Sequence, residues 1–168
     1  MKKKLTTVAF RGTEAQEAQL LEVIAKYRDT EGAMMPILQE AQEIYGYLPV
    51  EVMKIIAEKT DHPLEEVFGV ASFYSQFSLN PKGEVAVAVC LGTACYVKGS
   101  GQVLDKVVEV LGVPSGATSA DGRYSVDATR CIGACGLAPV LTVNGEVYGR
   151  LVPSDVEGIL AKYAQPQG

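Results

Sequence analysis

The sequence predicts an α+β protein: an N-terminal helical bundle followed by an α/β layer domain with a four-stranded mixed sheet. Three observations carry this. Up to residue 80 the apolar residues recur at helical spacing, and beyond it short β-like runs appear. The turn string Asn80-Pro81-Lys82-Gly83 stands at the change. The second half then alternates strand, helix, strand, strand, strand, helix, a layered α/β order. The domains are therefore residues 1–80 and 81–168.

The first domain reads as four short helices. Thr13 and Gln16 form a capping box, with Leu20, Ile24 and Tyr27 on one stripe behind it. Pro36 suits a first helical turn, Ile37, Leu38, Ala41, Ile44 and Tyr45 follow at helical spacing, and Gly46 is a stop. Pro49 opens a third helix with Val52, Ile55 and Ile56 inward. Pro63 opens a fourth, whose first turn carries Glu65 and Glu66 where negative charge suits the helix dipole. Leu64, Val67, Phe68 and Ala71 form its stripe.

In the second domain, EVAVAVC (residues 84–90) is apolar on both faces and reads as a buried strand. Residues 102–111 form a helix, with Leu104, Val107, Val108 and Leu111 inward, closed by Gly112 and Pro114. Tyr124, Val126 and Ala128 alternate as a second strand. Residues 140–143 and 146–151 flank Asn144-Gly145 as a hairpin. Ser154 and Glu157 cap the last helix, with Val156, Ile159, Leu160 and Tyr163 inward.

Composition excludes several classes. The chain has 168 residues, 48% of them hydrophobic, so it is long enough to bury a core without disulfide staples. Its net charge of −5 argues against nucleic-acid binding, which needs a basic face. No apolar run approaches the roughly 20 residues of a membrane span. Lys2, Lys3 and Lys4 mimic the start of a secretion signal, but Thr6, Thr7 and Arg11 break the stretch that follows. A cytoplasmic protein is expected.

The chemistry lies in four cysteines, Cys90, Cys95, Cys131 and Cys135, spaced C-x4-C and C-x3-C. Each pair stands among glycines, Gly92, Gly99 and Gly101 near the first and Gly133 and Gly136 near the second. Cys90 ends the first strand and Cys131 follows the second. A right-handed crossover through helix 102–111 makes those strands parallel, so both loops meet at one sheet edge. That edge is where open α/β sheets hold ligands. Disulfides do not suit a reducing compartment. Four separate core cysteines would not fall in two paired glycine-rich loops. Zinc is the rival, since four thiolates satisfy it, but zinc turns usually use a tighter C-x2-C bite. An iron–sulfur cluster is wider and fits these wider loops. The plant-type ferredoxin spacing is different, because no third cysteine follows Cys95 closely.

The strings CLGTACYVKGSG (residues 90–101) and CIGACGLAPV (residues 131–140) resemble the thioredoxin-like [2Fe–2S] ferredoxin family. This is the family of the 24-kDa subunit of respiratory complex I and its relatives in NAD(P)-linked hydrogenases and formate dehydrogenases. GYLP (46–49), GVASFYSQF (69–77) and DGRYSV (121–126) are similar to its other recurring strings, and the likeness spans about residues 20–165. The resemblance implies a thioredoxin-like second domain. It implies one [2Fe–2S] cluster, with Cys90 and Cys95 on one iron and Cys131 and Cys135 on the other. It implies an electron-transfer subunit working beside a flavin-bearing, NAD(P)H-oxidising subunit and further Fe–S or hydrogenase subunits. FMN and NAD(P) are expected on that partner and not on this chain. The wording GTACYVKG is closer to the soluble, electron-bifurcating hydrogenase branch. The complex I E subunit and the formate dehydrogenase gamma subunit are the alternatives, and a zinc-stabilised structural adaptor is a further one.

Nothing else in the chain points to catalysis. The single histidine, His62, precedes Pro63 and reads as a cap or surface residue; one histidine also excludes a Rieske centre. Gly99-Ser100-Gly101 lacks the third glycine of a dinucleotide fingerprint, since Leu104 stands there. The aromatics of residues 68–77 are expected to pack in the core, or else to form a surface beside the cluster or the flavoprotein. Asp105, Lys106 and Glu109 read as a solvated helix face, and Lys98 as a solvated neighbour of the cluster loop.

Overall fold

Helix signals in the first eighty residues translate directly into structure. The computed structural model describes residues 5–164, so Lys2, Lys3 and Lys4 lie outside the described residues. Four helices follow one another: α1 (Glu14–Lys26), α2 (Met34–Tyr45), α3 (Val50–Thr60) and α4 (Leu64–Phe73). The Thr13 hydroxyl accepts from the Gln16 amide at 3.3 Å, and the Gln16 side chain accepts from Thr13 N–H at 3.0 Å. Both close otherwise unpaired amides. Gln16 also donates to the Ile44 carbonyl, tying α1 to the end of α2. Gly46 stops α2 with φ of 80°, a conformation that side chains resist.

The core of this unit is Leu20, Ile24, Ile37, Leu38, Leu48, Val52, Met53, Ile56 and Val67 with their neighbours. The strap after α4 belongs to it. Phe77 and Leu79 are buried there, Leu48 N–H donates to Ser78 O, and the Gln42 side chain bonds the backbone of Gln76 and Ser78. The chain divides into two compact units, Met1–Pro81 and Lys82–Gly168. The aromatic stretch of residues 68–77 divides between its two expected readings. Phe73 is 80% exposed and Tyr74 is also exposed, so only part of the 68–77 aromatic stretch packs in the core. The α4 stripe of Val67 and Ala71 turns inward, which leaves Phe73 on another face of a one-sided helix.

The second unit is a five-stranded mixed sheet in the order β2-β3-β1-β4-β5. The strands are β1 (Val85–Cys90), β2 (Ala117–Thr118), β3 (Tyr124–Thr129), β4 (Leu141–Val143) and β5 (Glu146–Tyr148). Helices α5 (Thr93–Val97) and α6 (Ser100–Leu111) cross from β1 to β3, and α7 (Asp155–Ala161) follows β5. Strands β1 and β3 pair parallel from Val85 opposite Tyr124 to Cys90 opposite Thr129. Val85, Val87 and Val89 on one sheet face pack with Val103, Val107, Val156 and Leu160 of α6 and α7.

The expected four strands become five because of β2. Its two residues are too short to show any alternation, and they pair antiparallel with Val126 and Ser125. Helix α5 is also additional, and the hairpin strands are shorter than expected. Asn144 and Gly145 both take positive φ, 51° and 86°, as the tight hairpin turn requires. The Asn144 side chain also accepts from Ala86 N–H at 2.8 Å and donates to Glu84 O, pinning the hairpin to β1. Ser154 does not cap α7. Its backbone is already helical, so its hydroxyl caps nothing, and Asp155 instead accepts from Val152 N–H at 3.0 Å. Lys106 is more than a solvated side chain, since it reaches Glu157 on α7 at 3.0 Å.

Leu38 is wholly buried in the helical core. Leu38→Ala should cost about 2–5 kcal/mol through lost burial and a residual cavity. Urea unfolding followed by circular dichroism checks this, and a loss under about 1 kcal/mol would show that the site collapses around the smaller side chain.

A candidate cluster site at the sheet edge

The parallel pairing of β1 and β3 puts their carboxyl ends side by side, and the four cysteines gather there. Cys90 is the last residue of β1, and Cys131 lies two residues beyond β3. Leu91 N–H donates to Thr129 O at 2.8 Å, and Cys90 N–H donates to Val140 O at 3.0 Å. These bonds extend the sheet into both cysteine loops. Gly92 then touches the opposite loop: a Cβ built on it would lie 3.0 Å from Cys131 Cβ. Glycine is needed there for close approach.

Each pair has its own local geometry. Gly92 starts α5, whose third residue, Cys95, turns inward. Cys131 and Cys135 sit on a turn reversed by Gly133 at φ of 84°, and Cys135 opens a short 3₁₀ turn to Leu137. The backbone of the following hairpin holds that turn, with Arg150 N–H donating to Leu137 O and Leu151 N–H to Pro139 O. Cys90 and Cys95 are 1% and 2% exposed, packed with Ala138 and Val140 against Ala94 and Ala134. Cys131 and Cys135 face solvent.

None of the four cysteines is in a disulfide. Cys131 Sγ and Cys135 Sγ lie 3.3 Å apart, well beyond a disulfide bond of about 2.05 Å. Cys90 Sγ donates to the Arg130 carbonyl at 3.7 Å. Among the described residues, no three or more His, Cys, Asp or Glu gather as the ligand set of one metal ion. Cys131 and Cys135 form the close sulfur pair, and Cys90 and Cys95 lie together in the buried cluster behind it.

Amide donors aim at the sulfurs. Gly133 N–H donates to Cys131 Sγ at 3.4 Å. The N–H groups of Gly92 and Ile132 donate to Cys90, and that of Val140 to Cys95. Such donors favour the thiolate. Burial pushes the Cys90 thiol up, but the Gly92 and Ile132 amides and the Cys95 thiol outweigh it, and Cys90 ends below its ordinary value. Burial, then the bond to Cys90, pushes Cys95 up. Cys135 rises through its bond to Cys131 and the charge there. An inward pair, an outward pair and converging amides fit a cluster held by four thiolates.

Sequence reasoning located all four cysteines and the sheet edge. It missed the amide donors of Ile132 and Val140, which leave no side-chain signal. The glycines that shape both loops were the legible hint. His62 takes no part: its Nδ1 lies 3.3 Å from Glu66 Oε2 at the start of α4 in the helical unit. Among the described residues, no helix is long and apolar enough to cross a membrane.

Comparison with known proteins agrees with this geometry. The family model described as thioredoxin-like [2Fe–2S] ferredoxin matches residues 20–164. The NADP-reducing hydrogenase subunit HndA of Solidesulfovibrio fructosivorans is 41% identical over 86% of this chain and 85% of its own length. The E subunit of the NADH-quinone oxidoreductase of Aquifex aeolicus is 31% identical over 92% of this chain and 96% of its own. Among solved structures, an NAD+-reducing [NiFe]-hydrogenase in its H2-reduced state superposes with a TM-score of 0.55 at 21% identity. That likeness covers 77% of this chain and 22% of the longer one, and concerns the fold alone.

Two outcomes follow from the site. In the metal-free chain, Cys131 and Cys135 should alkylate at least about tenfold faster than Cys90 and Cys95, because exposure governs access to a thiol. Peptide mass spectrometry after timed iodoacetamide treatment reads this, and equal rates would contradict the inward–outward division. Gly92→Ala should push the two loops apart and destabilise the second unit by about 1–3 kcal/mol. Denaturant unfolding of that variant, unchanged from the parent, would show that the loops are not in tight contact.

Proposed function

The chain belongs to the thioredoxin-like [2Fe–2S] ferredoxin family, and from that premise we propose that it is the electron-transfer subunit of a soluble NAD(P)-linked, electron-bifurcating hydrogenase. Cys90 and Cys95 hold one iron of its [2Fe–2S] cluster, and Cys131 and Cys135 hold the other. The observation that carries the hydrogenase reading is the 41% identity to the NADP-reducing hydrogenase subunit, spread over most of both chains. A second reading, the E subunit of an NADH-quinone oxidoreductase, is favoured by relatives of that name at 30% and 31% identity.

When bound, the cluster supplies a site that takes one electron at a time. The chain's residues do the rest. Cys90 and Cys95 anchor the inner side in an apolar wall of alanine and valine, and burial there disfavours added negative charge. The amides of Gly92, Ile132, Gly133 and Val140 oppose that effect by donating to sulfur, which eases reduction. Cys131 and Cys135 present the outer side to a partner. A flavin- and NAD(P)H-binding subunit is that partner, with FMN and the nicotinamide bound there, further Fe–S and hydrogenase subunits beyond it, and the whole assembly in the cytoplasm.

Cys90→Ala and Cys131→Ala should each abolish the cluster. Iron analysis and electron paramagnetic resonance after dithionite reduction check this: the parent should show an S = 1/2 signal with about two irons per chain. Retention of full iron and absorbance by either variant would sink the ligand assignment. Affinity purification of the tagged chain from its native cells identifies the complex. Flavin and hydrogenase subunits should co-purify, whereas membrane subunits of a quinone reductase would establish the second reading.

A further inference from the structure

The end of the second unit that carries the cysteines differs in charge from the rest of the chain. Residues 90–101, 129–140 and 149–153 build it, and they contain no Asp or Glu. They contain Lys98, Arg130 and Arg150. All three are exposed, and none makes an ion pair among the described residues. Each is fixed to the site. Lys98 follows α5, which carries Cys95. Arg130 precedes Cys131 in the chain. Arg150 donates its backbone N–H to Leu137 of the Cys135 turn.

The same segments carry large apolar side chains open to solvent. Tyr96 is 65% and Val97 80% exposed, and Ile132 and Leu137 are about two-fifths exposed. Apolar groups exposed together around a functional site mark an interaction surface. The chain as a whole is acidic, at −5, so three cations on segments that carry no Asp or Glu of their own are a local reversal of sign, with the Asp155 carboxylate at the margin, bonded to Val152 N–H. Such a reversal steers association and sets partner choice.

We propose that this end docks an acidic partner surface: carboxylates of the flavin-bearing subunit meet Lys98, Arg130 and Arg150 around an apolar centre that covers Tyr96, Val97, Ile132 and Leu137. This rests on the electron-transfer reading above and adds the chemistry of the partner's face. The cations serve the encounter, and the apolar centre excludes water once the surfaces meet.

The test compares the full cluster-loaded chain with its K98E/R130E/R150E variant, after iron content and the resonance signal are shown to be equal. Binding to the co-purified flavin-bearing subunit is measured from about 50 to about 500 mM salt, where screening shortens from beyond 10 Å to a few ångströms. The parent should lose about tenfold or more in affinity over that range. The variant should bind at least about tenfold more weakly at low salt, with little salt dependence left. Equal binding by both chains, or salt-independent binding by the parent, overturns the docking chemistry and leaves the electron-transfer reading standing. A concentration-dependent dimer of the parent that the variant loses would assign the face to a second copy and also overturn it.

If the flavin-bearing subunit binds neither chain, the electron-transfer partnership itself fails. Ferricyanide then reads the rim without any partner. It takes one electron from the dithionite-reduced cluster and becomes ferrocyanide. The parent should be oxidised at least about tenfold faster than the variant at low salt, with the gap closing as salt rises. Equal rates would show that the three cations do not govern approach to the cluster, and would overturn the proposal on their own.

Discussion

The parallel ladder between β1 and β3 is the constraint on which the second unit depends. Antiparallel neighbours could have been joined by a tight turn, but a parallel pair needs a crossover, and α5 and α6 supply it. The crossover fixes which ends of the strands coincide. Cys90 sits opposite Thr129, so the chain leaves both strands at one edge, and the cysteine loops have no choice but to meet. The valines at positions 85, 87 and 89 hold β1 against α6 and α7. A slip of one residue in that strand would turn those valines outward and carry Cys90 away from its partner loop. The cysteine site is therefore positioned by an apolar core that contains none of the four cysteines.

Much of this was legible because the relevant signals are local. The Thr13–Gln16 box, Gly46 and Asn144-Gly145 each act within a few residues, and each appears as expected. The cysteine spacings and their glycines pointed to the site for the same reason. What escaped the sequence depends on contacts made elsewhere. Strand β2 exists because Val126 and Ser125 offer it an edge, and two residues cannot announce that. Ser154 has the right neighbour for a cap, yet the preceding chain delivers it already helical, and the Asp155 carboxylate bonds Val152 N–H ahead of the helix. Lys106 looked solvated because Glu157 lies fifty-one residues away in sequence and on another helix.

Phe73 shows the same limit from the other side. An aromatic residue beside Val67, Phe68 and Ala71 invites a core assignment, but a short helix buries only one stripe. Sequence gives the hydrophobicity of a side chain and leaves open which direction the helix turns it.

The unequal spacing of the two cysteine pairs has a structural origin of this kind. Cys131 and Cys135 are four residues apart on one turn. Gly133, at positive φ, folds that turn back far enough to bring the sulfurs to 3.3 Å. Cys90 is still in the sheet. The chain must leave the strand through Leu91, pass the opposite loop at Gly92, and only then begin α5 with Cys95 on its inner side. Leaving an extended strand and entering a helix takes one residue more than reversing a turn. The C-x4-C and C-x3-C spacings are thus two backbone solutions to one requirement, the meeting of two thiols. Because the solutions differ, so do the surroundings: the strand-and-helix pair is buried by construction, and the pair on the turn is left at the surface.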